Sequence, residues 1–445
     1  LHIGKVYRSI TFLYSGYMKL LAYWKGLLKK RKRLYFDYAS VTPVDKRVIK
    51  YINRIGKIYS ANPSSLYKDG GEAKKVLEGA REEIAKCLEV HADEVIFTSG
   101  GTESNNLAIL GTVNALWSKV ERTFSANHSD EVSVTLKPHV VVSAIEHPSV
   151  SEAINVLEKS GVEVTVIPVE PDGIISAKKI KAALKAQTVL VTVMYANNEI
   201  GTVQPIHEIA KALRSYKKTL GRDNLGLPYF HTDACQAVNF LSMRVPSLGV
   251  DLMTLDSSKF YGPRSAGVLY VRRGIQVKEQ IYGGDQEKGK RAGTEDVAKF
   301  AGLALALKIS CEEKENEIKR VAELRDDLLN WMLDQIPDLG VNGSLQNRLP
   351  NNINVCLPGR DAEFMVLQLD AKGVCVSSVT SCHAQREDSY SEVIKALGDT
   401  FSEEDERQKQ YYKDCSRSSL RITLGRFTTK KEVEKLKGVL GRVFL

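Results

Sequence analysis

From residue 94 onward, short apolar runs rich in β-branched residues alternate with segments whose apolar residues recur at helical spacing. This alternation constrains the fold more than any other feature, because strands buried on both faces need covering layers, and crossover helices supply them. The expected strands lie in "EVIFTSG", "VVVSAIEH", "VEVTVIPV", "TVLVTVMYANNEIG", "LPYFHTD", "DLMTLDSSK" and "GVLYVRR". Between them run amphipathic segments such as "SVSEAINVLEKSG" and "IHEIAKALRSYKKTLG". The expectation is an α/β domain built on a mostly parallel sheet.

After about residue 310 a long charged helix precedes "NINVCLP", "AEFMVLQLDAKG", "VCVSSVTSC" and "SLRITLGRF", which reads as a smaller α+β domain. The expected organisation is a basic extension over residues 1–36, a large domain over 37–310 and a small domain over 311–445. Residues 37–50 are free to pack with the small domain. Two charged stretches, "WSKVERTFSANHSDEVSVTLKPH" and "GDTFSEEDERQKQYYKDCSR", read as surface insertions.

The formal charge is +9, and its location matters more than its size. Residues 1–36 hold nine Lys or Arg and no acid, which leaves 54 basic and 54 acidic residues in the rest. The body is electroneutral, so a general attraction to phosphate backbones is not supported and no direct nucleic-acid partner is expected. Within the extension, Ile10, Leu13, Tyr14, Tyr17, Leu20, Leu21, Trp24, Leu27 and Leu28 recur at helical spacing, which gathers them on one face. Lys19 and Lys25 would each cost about 2.5–3.5 kcal/mol at a bilayer centre, which disfavours a transmembrane span. Three readings stay open: peripheral contact with an anionic membrane, an organellar transit segment, and a helix docked on a partner subunit. The expected location is cytoplasmic, with the organellar matrix or a membrane surface as alternatives through this extension. Seven scattered cysteines form no C-x-x-C pair, so neither a zinc site nor a disulfide framework is expected, and a reducing compartment is favoured.

Four places could carry chemistry. "EVIFTSGGTESNNLAI" is a strand, a Gly-Gly turn and a helix starting near Thr102, which would offer free N–H groups to an anion. Asp233 ends one β-run, and Asn197 and Asn198 end another; polar groups there either line the ligand crevice of an α/β sheet or cap the following turns. Lys259 in "DSSKFYGPRSAG" sits between apolar neighbours, where a desolvated amine becomes a nucleophile toward an aldehyde. Cys382 in "SSVTSCHAQRED" follows a strand in polar company, whereas Cys356 and Cys375 lie inside apolar runs.

Set in order from "YFDYASVTPVD" to "SLRITLGRFTT", with "ANPSSLY", "AIEHPSV", "NNEIGTVQPI", "HTDACQAV" and "RAGTEDV" between, these pieces resemble the cysteine desulfurases of the class V aminotransferase group. The resemblance implies a fold-type I transferase dependent on pyridoxal 5'-phosphate. It implies that Lys259 holds the cofactor as a Schiff base, that Gly101 and Thr102 bind its phosphate, and that His147 stacks on its ring. Asp233 would pair with the ring nitrogen, Asn197 and Gln236 would contact the ring hydroxyl, and Asn197 would also meet substrate. Thr294 would reach the phosphate in the neighbouring subunit of a homodimer. Arg421 would receive the carboxylate of L-cysteine through a bidentate fork, and Cys382 would accept sulfur as a persulfide, leaving L-alanine. The sulfur would pass to an acceptor protein for iron–sulfur cluster assembly or tRNA thiolation. No resident metal is implied, although Cys382 could touch a cluster in transit.

Before the lysine, the family usually has Ser-Gly-His where this chain has Asp256-Ser257-Ser258. An anionic Asp256 about 4 Å from a phosphate charge would be repelled by about 4 kcal/mol at an effective dielectric of 20. Asp256 is therefore expected to turn away, toward Arg264, while the Ser258 hydroxyl takes a phosphate bond. The same departure keeps two alternatives open beside the desulfurase: a selenocysteine lyase, and a catalytically weakened scaffold of the same fold.

Overall fold

The computed structural model describes residues 33–117, 137–220, 226–378, 390–402 and 405–445 of the 445-residue chain. The first charged insertion and the amphipathic helix expected in the extension fall almost wholly outside the described residues.

A seven-stranded sheet forms from β2 (Val95–Thr98), β3 (His139–Ser143), β4 (Glu163–Ile167), β5 (Thr188–Thr192), β6 (Tyr229–Asp233), β7 (Leu252–Asp256) and β8 (Gly267–Val271). Its order is β2-β8-β7-β6-β5-β3-β4. Pairing is parallel from β7 across to β4, while β8 runs antiparallel to both of its neighbours. The inner strands β3, β5 and β8 are buried along their whole length, as near-continuous Val and Leu runs require when helices cover both faces. At the edge, β4 is half-buried over Glu163, Val164 and Thr165, exposes Val166 and buries only Ile167.

A second, wholly antiparallel sheet orders β12 (Ser377–Ser378), β13 (Ser419–Thr423), β10 (Asn352–Cys356) and β9 (Gly340–Val341). The chain's first described strand, β1 (Leu34–Tyr35), pairs in parallel with β11 (Val374–Cys375), and Asp37 bridges Thr423. Residues 34–37 thus belong with the C-terminal sheet, and the extension ends before them rather than at 36. The apolar Phe36, fully buried among Leu328, Ile353 and Leu420, explains why.

Helix Val297–Gln335 spans about 58 Å and joins the two cores. Its first half gives Leu303 and Leu307 to the large-sheet core, and its second half gives Leu328 and Met332 to the core of the small sheet. No helix among the described residues is long and apolar enough to cross a membrane.

Two expectations need correction here. The stretch read as a second surface insertion contains helix Glu406–Cys415, which turns Tyr411, Tyr412 and the fully buried Cys415 onto the protein. Cys415 is disulfide-bonded to Cys356 of β10, with Cα atoms 5.3 Å apart. A pair 59 residues apart leaves no spacing pattern to read, so the absence of short-range cysteine motifs could not exclude it.

Candidate active site

Parallel strands deliver their carboxyl ends to one edge of the sheet, where the loops diverge and leave a crevice. At this edge a cavity of about 250 Å³ is lined by residues following β2, β3, β5, β6 and β7, and by β12 and β13 of the small sheet. Gly101, Thr102, His147, Asp233, Gln236, Lys259 and Arg421 all line it.

Asp233, the last residue of β6, is 7% exposed. Its Oδ2 accepts from Asn105 Nδ2 at 2.7 Å and its Oδ1 from the Cys235 amide at 2.9 Å. Both donors are neutral, and among the described residues no basic side chain forms an ion pair with it. Keeping a carboxylate buried with such partners is costly unless a cation joins it. A protonated ring nitrogen presented from the cavity would be that cation, so the site fits the ring of a pyridoxal cofactor. Cys235 beside it is pushed well up by burial and by the Asp233 charge, which keeps it a thiol.

Lys259 lies in the 3₁₀ turn Ser257–Lys259 directly after β7. The side chain is half-buried and opens into the cavity rather than into the core. Its Nζ donates to the carbonyls of Ser40 at 2.5 Å and Ala39 at 3.2 Å. Gln236 Nε2 donates to the same Ala39 carbonyl at 2.9 Å. The segment after β1 therefore walls one side of the cavity, tied to the small sheet where Ala39 N donates to Thr423 Oγ1.

His147 is the N-cap of helix Pro148–Lys159, its Nδ1 accepting from the Ser149 amide at 3.1 Å; Pro148 at the first helical position fixes the chain direction there. Behind it, Glu146 is buried with Oε1 taking bonds from Ser143 Oγ and the Met194 amide, while Oε2 has no partner among the described residues. Burial, aided by the nearby Asp233 charge, pushes Glu146 up to about 7.

Arg421, in the middle of β13, is 5% exposed. Its terminal nitrogens donate to Asn198 O at 2.9 Å, to Asp37 Oδ1 at 3.0 Å and to Ser40 Oγ at 2.7 Å, while Nε has no partner among the described residues. The fork expected to receive a carboxylate thus already holds an internal one.

Three of the expected residues do not line the cavity. Asn197 is fully buried; its Oδ1 accepts from the amides of Glu199 and Ile200, and its Nδ2 donates to Ile145 O, so it closes the turn while Asn198 and Glu199 face the cavity. Ser258 gives its carbonyl to Thr42 and its amide to Asp256. Thr294 is exposed and lies outside this chain's cavity. Cys382 falls outside the described residues, although Ser377 and Ser378, shortly before it, line the cavity. The expected turn of Asp256 toward Arg264 is not found. Asp256 Oδ2 accepts from the Gly101 amide at 3.2 Å and Oδ1 from the Ser258 amide at 2.8 Å.

Sequence reading missed Asn105, Glu199 and Asp37. Asn105 is a fully buried polar residue in a helix whose neighbours Leu107, Ala108 and Ile109 are core, and that contrast was its only signal. Glu199 lines the cavity and accepts from Ser391 Oγ at 2.5 Å; burial pushes it up to about 7 against the pull of that bond and of Arg421.

A family model for class-V aminotransferases matches residues 34–436. The chain belongs to that family. Within it, the chain groups with the cysteine desulfurases. It is 38% identical over 413 residues to cysteine desulfurase IscS of Dictyoglomus turgidum, covering 93% of this chain and 95% of the relative. The corresponding protein of Archaeoglobus fulgidus, cysteine desulfurase IscS 1, is 35% identical over 408 residues, covering 91% and 95%. Among solved structures, a NifS-like protein superposes with a TM-score of 0.79 at 27% identity, over 93% of this chain and 99% of that one. A structure of SspA in complex with cysteine gives a TM-score of 0.69 at 28% identity, over 89% and 100%. Members of the family generally depend on pyridoxal phosphate.

Proposed function

We propose that this chain is a pyridoxal-phosphate-dependent cysteine desulfurase that converts L-cysteine to L-alanine and takes the sulfur as a persulfide on Cys382. The observation that carries the reading is the meeting, in one cavity, of a lysine amine, a buried carboxylate with no ion-pair partner among the described residues, and a buried arginine. When bound, pyridoxal phosphate supplies an electron sink for the substrate Cα. Asp233 holds the proton on the ring nitrogen, and His147 covers the ring. Gly101 and Thr102 offer the helix start to the phosphate. Arg421 orients the substrate through its carboxylate. The Lys259 amine, once released from the Ala39 and Ser40 carbonyls, would move the proton at Cα.

In the sulfur step, the Cys382 thiolate forms a bond to the substrate sulfur as the Cβ–S bond breaks, and Cβ gains a proton. Cysteine and enzyme thiol give alanine and enzyme persulfide, with no external oxidant. Cys382 is four residues beyond the cavity-lining Ser378, a reach of at most about 14 Å of extended chain. The acceptor would be a protein serving iron–sulfur assembly or tRNA thiolation. The active unit would be a homodimer in which exposed Thr294 reaches toward the neighbouring phosphate.

The test is to supply cofactor and L-cysteine, then measure alanine release and protein-bound persulfide for the wild type and Cys382→Ala. Wild type should yield both, and the variant should lose the persulfide. No alanine from the wild type would sink the reaction. Persulfide retained in the variant would remove Cys382 from its role.

A further inference from the structure

Asp256 stands where a bound anion would be expected. The helix beginning at Gly101 continues through residue 117, with a π-type turn over Leu107–Gly111, so its start carries amides without intrahelical acceptors and a positive dipole end. One of these amides, Gly101 N, already donates to Asp256 Oδ2 at 3.2 Å. The other carboxylate oxygen accepts from Ser258 N at 2.8 Å, and no basic side chain among the described residues forms an ion pair with this acid. Lys259, three residues on, gives its protons to the Ala39 and Ser40 carbonyls instead.

Space at the cradle is also taken by this side chain. A Cβ on Gly101 would lie 3.3 Å from Asp256 Cβ and 3.4 Å from Asp256 Oδ2, and a Cβ on Gly100 would lie 3.5 Å from the same oxygen. Gly100 adopts φ +148°, a backbone that favours glycine and turns the chain tightly against the acid. Both Asp256 and Gly101 line the cavity that holds Lys259 and Asp233.

We propose that Asp256 is a resident anion in the cradle at the start of this helix, competing with the phosphate of a pyridoxal-type cofactor. The inference rests on the functional reading above. Its consequence is that ring contacts, with Lys259 and Asp233, carry most of the cofactor's binding, and that the phosphate adds little. Removing the one carboxylate charge frees the amides and ends a close repulsion.

The test uses the full chain as the wild type, Asp256→Asn and Asp256→Ser. Equilibrium affinities for pyridoxal 5'-phosphate, for pyridoxal and for inorganic phosphate are measured by calorimetry and absorbance, at fixed ionic strength. Asp256→Asn keeps the size and an acceptor for one of the two amides, so the side chain still fills its place where serine leaves a gap. In both variants, affinity for pyridoxal 5'-phosphate should rise roughly ten- to a hundredfold, while affinity for pyridoxal changes less than about twofold. Inorganic phosphate alone should bind the variants more tightly than the wild type. Unchanged or weaker binding of both phosphate-bearing probes to both variants would overturn the proposal. Borohydride trapping, read by mass at Lys259, reports separately on the functional reading. Failure to trap either aldehyde would sink that reading, and the inorganic phosphate result would still decide the role of Asp256.

Discussion

The two buried charges of the cavity are treated in opposite ways. Asp233 has only neutral amide donors and no cation among the described residues, whereas Arg421 has its internal carboxylate, Asp37, already in place. An unpaired buried charge names the sign of what must arrive, because the protein alone leaves it uncompensated. A paired one is stable as it stands, and its ligand must enter by exchange. On the proposed reading, the Asp233 end of the cavity therefore awaits a cation, while at the Arg421 end an incoming carboxylate would have to displace Asp37.

The largest break in that contrast should come from Asp233→Asn. The substitution keeps size and hydrogen-bonding capacity but removes the charge, and a charge pair at about 4 Å and an effective dielectric of 20 contributes about 4 kcal/mol. Alanine release should fall roughly a thousandfold. A decrease of less than about tenfold, with cofactor still bound, would show that Asp233 does not face the ring nitrogen.

At the other end, Arg421→Lys keeps the charge and loses the planar fork. The KM for L-cysteine should rise roughly ten- to a hundredfold with a smaller change in kcat, since ground state and transition state both keep the carboxylate. Steady-state kinetics across a wide cysteine range would measure it. An unchanged KM would leave the substrate carboxylate without this partner.

Glu146 sharpens the comparison, since it is the second buried carboxyl near Asp233. Its folded value of about 7 lies above the unfolded carboxylate range, so the folded protein binds its proton more tightly. The stabilisation is complete below about pH 4.5 and is lost as pH rises through about 7. Glu146→Gln should therefore remove a slope of about 3 kcal/mol across that interval, read as the difference between wild-type and variant unfolding free energies. The difference is the useful quantity because His139 and His231, pushed down to about 4 by burial, tilt both proteins the other way by losing stability as pH falls from about 6.5. Parallel curves would show that Glu146 stays ionised at neutral pH.

Much of this was legible in the chain. Six of the seven strands of the large sheet fall inside the expected apolar runs, and β3 starts one residue earlier, at His139, because burial of the inner strands on both faces demands near-continuous Val and Leu. Lys259 and Asp233 were legible for a related reason: each is a charged residue at or just beyond the end of an apolar strand, whereas Arg421 was expected only through the resemblance. Choices made by single turns were not. Asn197 and Asn198 are adjacent and chemically identical, and only the turn decides that the first closes the backbone while the second meets the cavity. The direction of Asp256 ran against the electrostatic expectation, because free amides at a helix start hold a carboxylate without any cation. Helix Glu406–Cys415 looked solvated from its charges, yet its buried face is made by Tyr411, Tyr412 and Cys415, residues too few to set a pattern.

The smallest effect is expected at Asp37, and it tests whether the carboxylate end really opens by exchange. Asp37 Oδ1 accepts from Arg421 at 3.0 Å and from Ser40 Oγ at 2.8 Å, and Ser40 Oγ in turn accepts from Arg421. Asp37→Asn keeps an acceptor for both donors, so the arginine stays in place, but the competing charge is gone. An incoming carboxylate then displaces an amide rather than an anion, and the KM for L-cysteine should fall roughly three- to tenfold with kcat little changed. A rise in KM would reverse the assignment: Asp37 would then be a positioning residue that aims the guanidinium at substrate, and the ion pair would belong to the working site rather than to its resting state.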